Sequence, residues 1–170
     1  MNSTKRYNHT ELEERVERAH RRAAGQPLGD VRLSLLIKQN ARLLSDLMNK
    51  VLEPYGISSV AYIAMMTLHS TSDNLANPSD ICVATGETRS NMTRITDELV
   101  AKGLIKRITN IEDRRRVDLS LTDTGIELLK VVVPVIRKAN ATVFSVFESE
   151  QKGMFEADLL KLMQVLETIV

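Results

Sequence analysis

Apolar side chains recur along most of this chain at the three- and four-residue spacing of a helix face, and in one short stretch they alternate instead. Within 31–53, Leu33, Leu36, Ile37, Leu44, Leu47, Met48 and Val51 form one stripe, which predicts a long helix ended by Pro54 and Gly56. Ser58 or Ser59 opens a second helix carrying Val60, Ile63, Ala64 and Leu68, which fades into the polar stretch 70–77. Asn77 followed by Pro78 reads as an N-cap with proline in the first turn of a short helix that stops at Gly86. The next helix, 88–102, turns Met92, Ile95, Leu99 and Val100 to one side. It crowds Arg89, Ser90, Asn91, Thr93 and Arg94 into its first turns and ends at Gly103.

The alternating stretch follows. Segments 104–109 and 116–121 read as strands, with Val117, Leu119 and Leu121 on one face and Arg116, Asp118 and Ser120 on the other. They predict a hairpin whose loop, 110–115, carries Asp113, Arg114 and Arg115; Lys106, Arg107 and Arg116 flank it, making this the densest basic stretch in the body of the chain. Thr122 caps a long helix with Ile126, Leu129, Val133, Ile136, Val143 and Phe147 on one face and an expected kink at Pro134. Ser149 caps a last helix with Phe155, Leu159, Leu162, Met163, Leu166 and Ile169 along one face. At the other end Thr10 caps a charged helix over 11–24, and Gly25, Pro27 and Gly29 mark a break before the main body.

Two helices joined by a glycine-containing turn, the second polar and basic at its exposed start, are the pattern of a helix-turn-helix, and a basic hairpin directly after it is a wing. The predicted fold is therefore mainly α (α+β), a winged helix-turn-helix domain with long N- and C-terminal dimerisation helices. The expected organisation is a charged arm at 1–30, a dimerisation helix at 31–57, a DNA-binding lobe at 58–121 and dimerisation helices at 122–170. Helices this long at both ends offer more apolar face than a small winged core can cover, which points to a homodimer.

Composition narrows the alternatives. The 170 residues are 43% hydrophobic and 26% charged, the balance of an ordinary globular protein. A formal net charge of +1 gives nucleic-acid binding no support by itself, so that case rests on local clusters. The single cysteine, Cys82, cannot form an internal disulfide, and with His9, His20 and His69 scattered it builds no metal site; it reads as a small buried hydrophobe, with no metal or cofactor expected. The N-terminus lacks the apolar core of a signal peptide. The most apolar run, 128–136, is broken by Lys130 and Pro134 and falls short of the roughly 20 residues a membrane-spanning helix needs, so a cytoplasmic protein without membrane contact is expected. The acid pairs Asp97 with Glu98 and Glu112 with Asp113 have no nucleophile, metal cluster or glycine-rich phosphate loop nearby, which argues against an enzyme.

Asp113 and Arg115, followed at fixed spacing by Leu119, Leu121, Thr122 and Gly125, resemble the signature of the MarR family of regulators. The run from Gly86 through Ile95, with Asp97, Glu98 and Leu99 after it, looks like the recognition helix of the EmrR/MprA-type subgroup. The resemblance spans roughly position 31 to the C-terminus. It implies a triangular homodimer with interlocked terminal helices and two lobes that grip a palindromic operator in double-stranded DNA. It also implies an effector pocket between the dimer helices and each lobe, with repression relieved by a small aromatic or lipophilic acid or a phenol. By family correspondence Arg94 faces base edges in the major groove, and Arg115 enters the minor groove with Asp113 bracing it. Thr88, Arg89, Ser90, Asn91, Thr93 and Arg114 complete the expected DNA-contacting set.

Plainer readings stand beside these. Arg94 can pair with Glu98 at helical spacing, and an Arg115 to Asp113 salt bridge can simply stiffen the loop. Arg42, Met48 and His69 are candidates for the effector pocket and equally for ordinary helix surface or packing. Arg116 holds a position usually small in the family. The helix before Gly25 is an extension that many members lack; urate-responsive members have one with a tryptophan there, and this chain has none. The alternative to a ligand-responsive regulator is a winged-helix adaptor working through protein association.

Overall fold

The computed structural model of the chain describes residues 9–22, 28–110 and 116–169. It divides into two compact units, Met1–Leu47 and Met48–Val170, with the boundary inside one long helix.

The first unit holds α1 (His9–Arg22) and the larger part of α2 (Leu28–Leu52). Val16 of α1 is buried, and Arg32 of α2 pairs with Glu13 of α1. Two expected boundaries move. Thr10 lies inside α1, not before it, and Gly29 lies inside α2. One glycine costs a helix about 1 kcal/mol relative to alanine, too little to interrupt one of 25 residues. The predicted end at Ala24 and the break at Gly25 and Pro27 lie outside the described residues. Of the predicted apolar stripe, Leu33 and Ile37 are exposed, as are Val31 and Leu43.

In the second unit α2 closes in a 3₁₀ turn, Glu53–Tyr55, started by Pro54 and ended by Gly56 in the left-handed region at φ 69°. The elements that follow are α3 (Ser59–His69), β1 (Leu75–Ala76), α4 (Pro78–Thr85), α5 (Arg89–Ala101), β2 (Ile105–Thr109), β3 (Val117–Leu121), α6 (Asp123–Phe144) and α7 (Ser149–Ile169). Ser58, Asn77, Thr88 and Thr122 each cap the next helix, the side-chain oxygen accepting the backbone N–H three residues on.

The sheet has three antiparallel strands in the order β1-β3-β2, where the alternation predicted a two-stranded hairpin. Asn74, at φ 51°, turns the chain after α3, and its carbonyl accepts the Leu121 N–H at 3.1 Å. Leu75 then pairs with Ser120 and Ala76 with Leu119. β3 is consequently the middle strand, and Asp118 and Ser120, expected to face solvent, are buried. Both are short side chains set among longer register neighbours, Leu75, Lys106 and Ile108. Val117, expected inside, is exposed because it extends beyond β1 and pairs with Thr109 alone.

Leu52, Met65, Leu68, Ile81, Met92, Leu99, Leu119, Leu129 and Val132 are fully buried, each worth about 1.5–3 kcal/mol on removal from water. Leu129, Val132 and Ile136 bring α6 into this core alongside α3, α4, α5 and the sheet. Pro134 stands inside α6, and the helix ends at Phe144, short of the predicted Phe147. Phe147 instead stacks on Phe155 of α7, ring centroids 5.6 Å apart. Ser149 is the first residue of α7, and the cap position belongs to Glu148, whose N–H donates to Gln151 Oε1 at 2.9 Å. No residue of α7 is buried: Phe155, Leu159, Leu162, Met163, Leu166 and Ile169 are all exposed. Among the described residues no single helix is long and apolar enough to cross a membrane.

Candidate nucleic-acid interface

The amphipathic division of α5 creates the site. Met92, Ile95, Thr96 and Leu99 are buried, which leaves Arg89, Ser90, Thr93 and Arg94 exposed. Gly86, left-handed at φ 69°, ends α4 and lets α5 begin after only Glu87 and Thr88. The Thr88 hydroxyl is occupied as the α5 cap, accepting the Asn91 N–H at 3.3 Å. Asn91 is half-buried; its Nδ2 donates to Glu87 Oε2 at 2.7 Å, while its Oδ1 accepts from Arg94 Nε at 3.3 Å and Nη2 at 3.1 Å.

The Arg94 side chain remains 68% exposed, with Nη1 3.8 Å from Glu98 Oε2. The plain pairing with Glu98 is thus present but loose. Glu98 is engaged more closely by Lys102, whose Nζ donates to Oε1 at 2.6 Å and also to the Gly56 carbonyl. That hydrogen bond first, and then the Lys102 charge, hold the Glu98 carboxyl below its ordinary range, with a smaller pull from Arg94.

The hairpin is fixed to this helix through Arg107 of β2, which pairs with Asp97 of α5. At the loop end the Asn110 N–H donates to the Arg116 carbonyl at 3.0 Å, and Asn110 Nδ2 donates to the buried Asp118 at 2.6 Å. Lys106, Arg107 and Arg116 are exposed. A groove of about 370 Å³ runs between the start of α4, α5 and the hairpin, with Arg89, Thr93, Arg107 and Arg116 on its walls. Cys82, expected in the core, is half-buried and lines this groove. Ile81 takes the inward place on α4, and the next residue lies about 100° further round the helix.

Asp113, Arg114 and Arg115 lie outside the described residues. The effector candidates are placed as follows: Arg42 is exposed and pairs with Asp46 at 3.1 Å, Met48 packs half-buried against the core, and exposed His69 has Nδ1 3.0 Å from Asn74 Oδ1. None of the three lines the groove between α5 and the hairpin. Two residues of the site were not singled out from the sequence in these roles: Glu87, which fixes Asn91, and Asn110, which clasps Asp118. The four-residue step from Glu87 to Asn91 was a usable signal, while the cross-strand clasp had none.

A MarR family profile matches residues 55–116. The chain is 32% identical over 141 residues to the transcriptional repressor MprA of Escherichia coli K12, covering 83% of this chain and 80% of that protein. It is 30% identical to the Escherichia coli regulator PapX, covering 92% of this chain and 96% of that one. Among solved structures it resembles the Staphylococcus aureus MepR–DNA complex, with a TM-score of 0.71 and 22% identity over 78% of this chain and 96% of that chain. It also resembles the MarR family regulator Sco3205 of Streptomyces coelicolor in complex with DNA, with a TM-score of 0.75 and 21% identity over 84% and 94%. At that identity the two structures speak for the fold, and the sequence relatives speak for the family. The family profile and the sequence relatives show that the chain belongs to the MarR family of transcriptional regulators.

Proposed function

We propose that the chain is a cytoplasmic DNA-binding transcriptional repressor that acts as a homodimer on a palindromic operator and is released by a small aromatic or lipophilic acid or a phenol. The observation that carries DNA binding is the exposed side of α5, with Arg89, Ser90, Thr93 and Arg94, of which Arg89 and Thr93 share a groove with Arg107 and Arg116. A helix of this kind fits the major groove, where arginine is the commonest reader of guanine. The flanking basic groups suit the phosphate backbone. MprA is named a repressor, and MepR and Sco3205 were solved on DNA, which supports carrying that activity here. By family correspondence Arg115 is proposed to enter a minor groove with Asp113 bracing it, and Arg114 to contact the DNA beside them.

Segments 31–57 and 122–170 serve association, 58–121 is the reading lobe and 1–30 an appended arm. The exposed apolar residues of α7 support the dimer, and a two-fold protein pairs naturally with inverted half-sites about 10 base pairs apart. Arg42, Met48 and His69 stand as the proposed lining for the effector, which acts by preferring one lobe spacing over another.

Selection of duplexes from a randomised library, followed by anisotropy titrations across salt, tests the reading. It predicts an enriched inverted repeat bound about 10³-fold or more above a scrambled duplex. Equal, weak and salt-labile binding to both duplexes overturns it in favour of an adaptor. Addition of aromatic carboxylates and phenols to the bound repeat tests the effector, which predicts release by at least one of them.

A further inference from the structure

The two ends of an asparagine amide are chemically different, one a pure acceptor and the other a pure donor. At Asn91 both ends are engaged: Oδ1 accepts two N–H groups of Arg94, and Nδ2 donates to Glu87. Arg94 brings only donors and the Glu87 carboxylate only acceptors, so the two neighbours select the same orientation of the amide. A flip would set donor against donor on one side and acceptor against acceptor on the other. Asn91 is half-buried between them, whereas the Arg94 side chain is 68% exposed.

From this geometry we infer that Asn91 reads no base itself and is a positioning residue, aiming the Arg94 guanidinium while Glu87 fixes the amide that does so. Asn91 occupies the Nε–Nη2 edge of the guanidinium. The Nη1–Nη2 end is left for a planar, two-point contact with a base edge, because Glu98 at 3.8 Å is too far to claim Nη1 by a hydrogen bond. A long arginine held in this way loses less freedom on docking, and the gain is confined to sequences that Arg94 can read. Truncating Asn91 should therefore reduce discrimination between sequences and leave general affinity for DNA nearly intact. The inference rests on the DNA-reading role of α5.

The test uses the full chain, a duplex selected by the wild-type protein and a composition-matched scrambled duplex. Asn91→Ala should lower the ratio of selected to scrambled affinity about fivefold to tenfold in the wild-type background and less than about twofold in the Arg94→Ala background. Its melting temperature should match that of the wild type. Glu87→Ala should lower the ratio in the same sense, and Glu87→Gln, which keeps an acceptor for Nδ2, should restore it. If Asn91→Ala has no effect, or lowers the ratio equally with and without Arg94, the positioning role is overturned while the reading of DNA by α5 stands. If Arg94→Ala itself leaves the ratio unchanged, the DNA reading falls and the inference falls with it.

Discussion

Gly125 of α6 lies against the backbone of Leu104: a Cβ added at 125 would stand 2.2 Å from the Leu104 carbonyl oxygen and 3.1 Å from Cδ2 of Leu121. The same carbonyl accepts the Thr122 N–H at 3.1 Å, and the Thr122 hydroxyl donates to the neighbouring Gly103 carbonyl at 2.6 Å, with the Leu104 oxygen further off at 3.1 Å. The first turn of α6 is thereby attached to the base of the hairpin. This explains in physical terms the threonine and glycine that close the motif from Asp113 to Gly125.

Gly125→Ala should lose about 2 kcal/mol or more of stability, because overpacking against a backbone oxygen exceeds the roughly 1 kcal/mol that alanine gains within a helix. Urea denaturation would show it as a lower midpoint. A midpoint equal to or above that of the wild type contradicts the contact.

Asn110→Ala removes the Nδ2 donor from the buried Asp118 carboxylate. The expected loss is about 1–3 kcal/mol, that of a buried group deprived of a hydrogen-bond partner, together with weaker binding to any duplex as the hairpin end loosens. Denaturation and anisotropy on the same sample check both effects. Unchanged stability would show that the clasp carries no load.

Glu98 provides a test by pH. Its folded-state carboxyl is held low, chiefly by the hydrogen bond from Lys102. The stabilisation is therefore fully present above the ordinary glutamate range and is lost as pH falls through the lowered value. Lys102→Met should raise the Glu98 titration toward the ordinary range in a carboxyl-carbon NMR experiment. The stability difference between variant and wild type should narrow at acid pH to what the Lys102 hydrogen bond to the Gly56 carbonyl contributes. A titration unmoved by the substitution contradicts the pairing.

Where a residue's role follows from its neighbours within one helical turn, the sequence already displayed it: the caps at Asn77 and Thr122 and the exposed arginines of α5 follow from spacing alone, whereas Thr88, placed inside the helix by the sequence, is its cap. β1 was hidden because two residues carry no alternation, and its pairing with β3 joins positions over forty apart in the chain. Ser120 was misplaced for the same reason, since only that pairing makes it part of a middle strand, while Asp118, which lies beyond β1, is buried with the Asn110 amide bonded to it, a contact that alternation does not show. Ser149 resembles a cap, yet Glu148 with Gln151 satisfies the free N–H at that end. The Asn91 amide could be placed next to Glu87 and Arg94 by spacing, but which end faces which depends on rotamers that spacing does not determine.

The proposed dimer predicts a sedimentation mass of twice the 19.1 kDa chain at micromolar concentration. Leu162 and Leu166 are exposed on α7, so replacing both with glutamate should halve that mass and leave the helical content of the chain nearly unchanged. A wild-type monomer, or a doubly substituted dimer, removes α7 from the association surface.

Reading of base sequence by α5 is the central claim, and the most direct measurement compares Arg94→Ala with Lys161→Ala on the selected and scrambled duplexes. Lys161 lies exposed on α7, paired with Asp158 at 3.2 Å. Arg94→Ala should weaken binding to the selected duplex by about 1–3 kcal/mol with little change on the scrambled one, while Lys161→Ala leaves both unchanged. If Arg94→Ala behaves like Lys161→Ala on both duplexes, α5 does not read the operator.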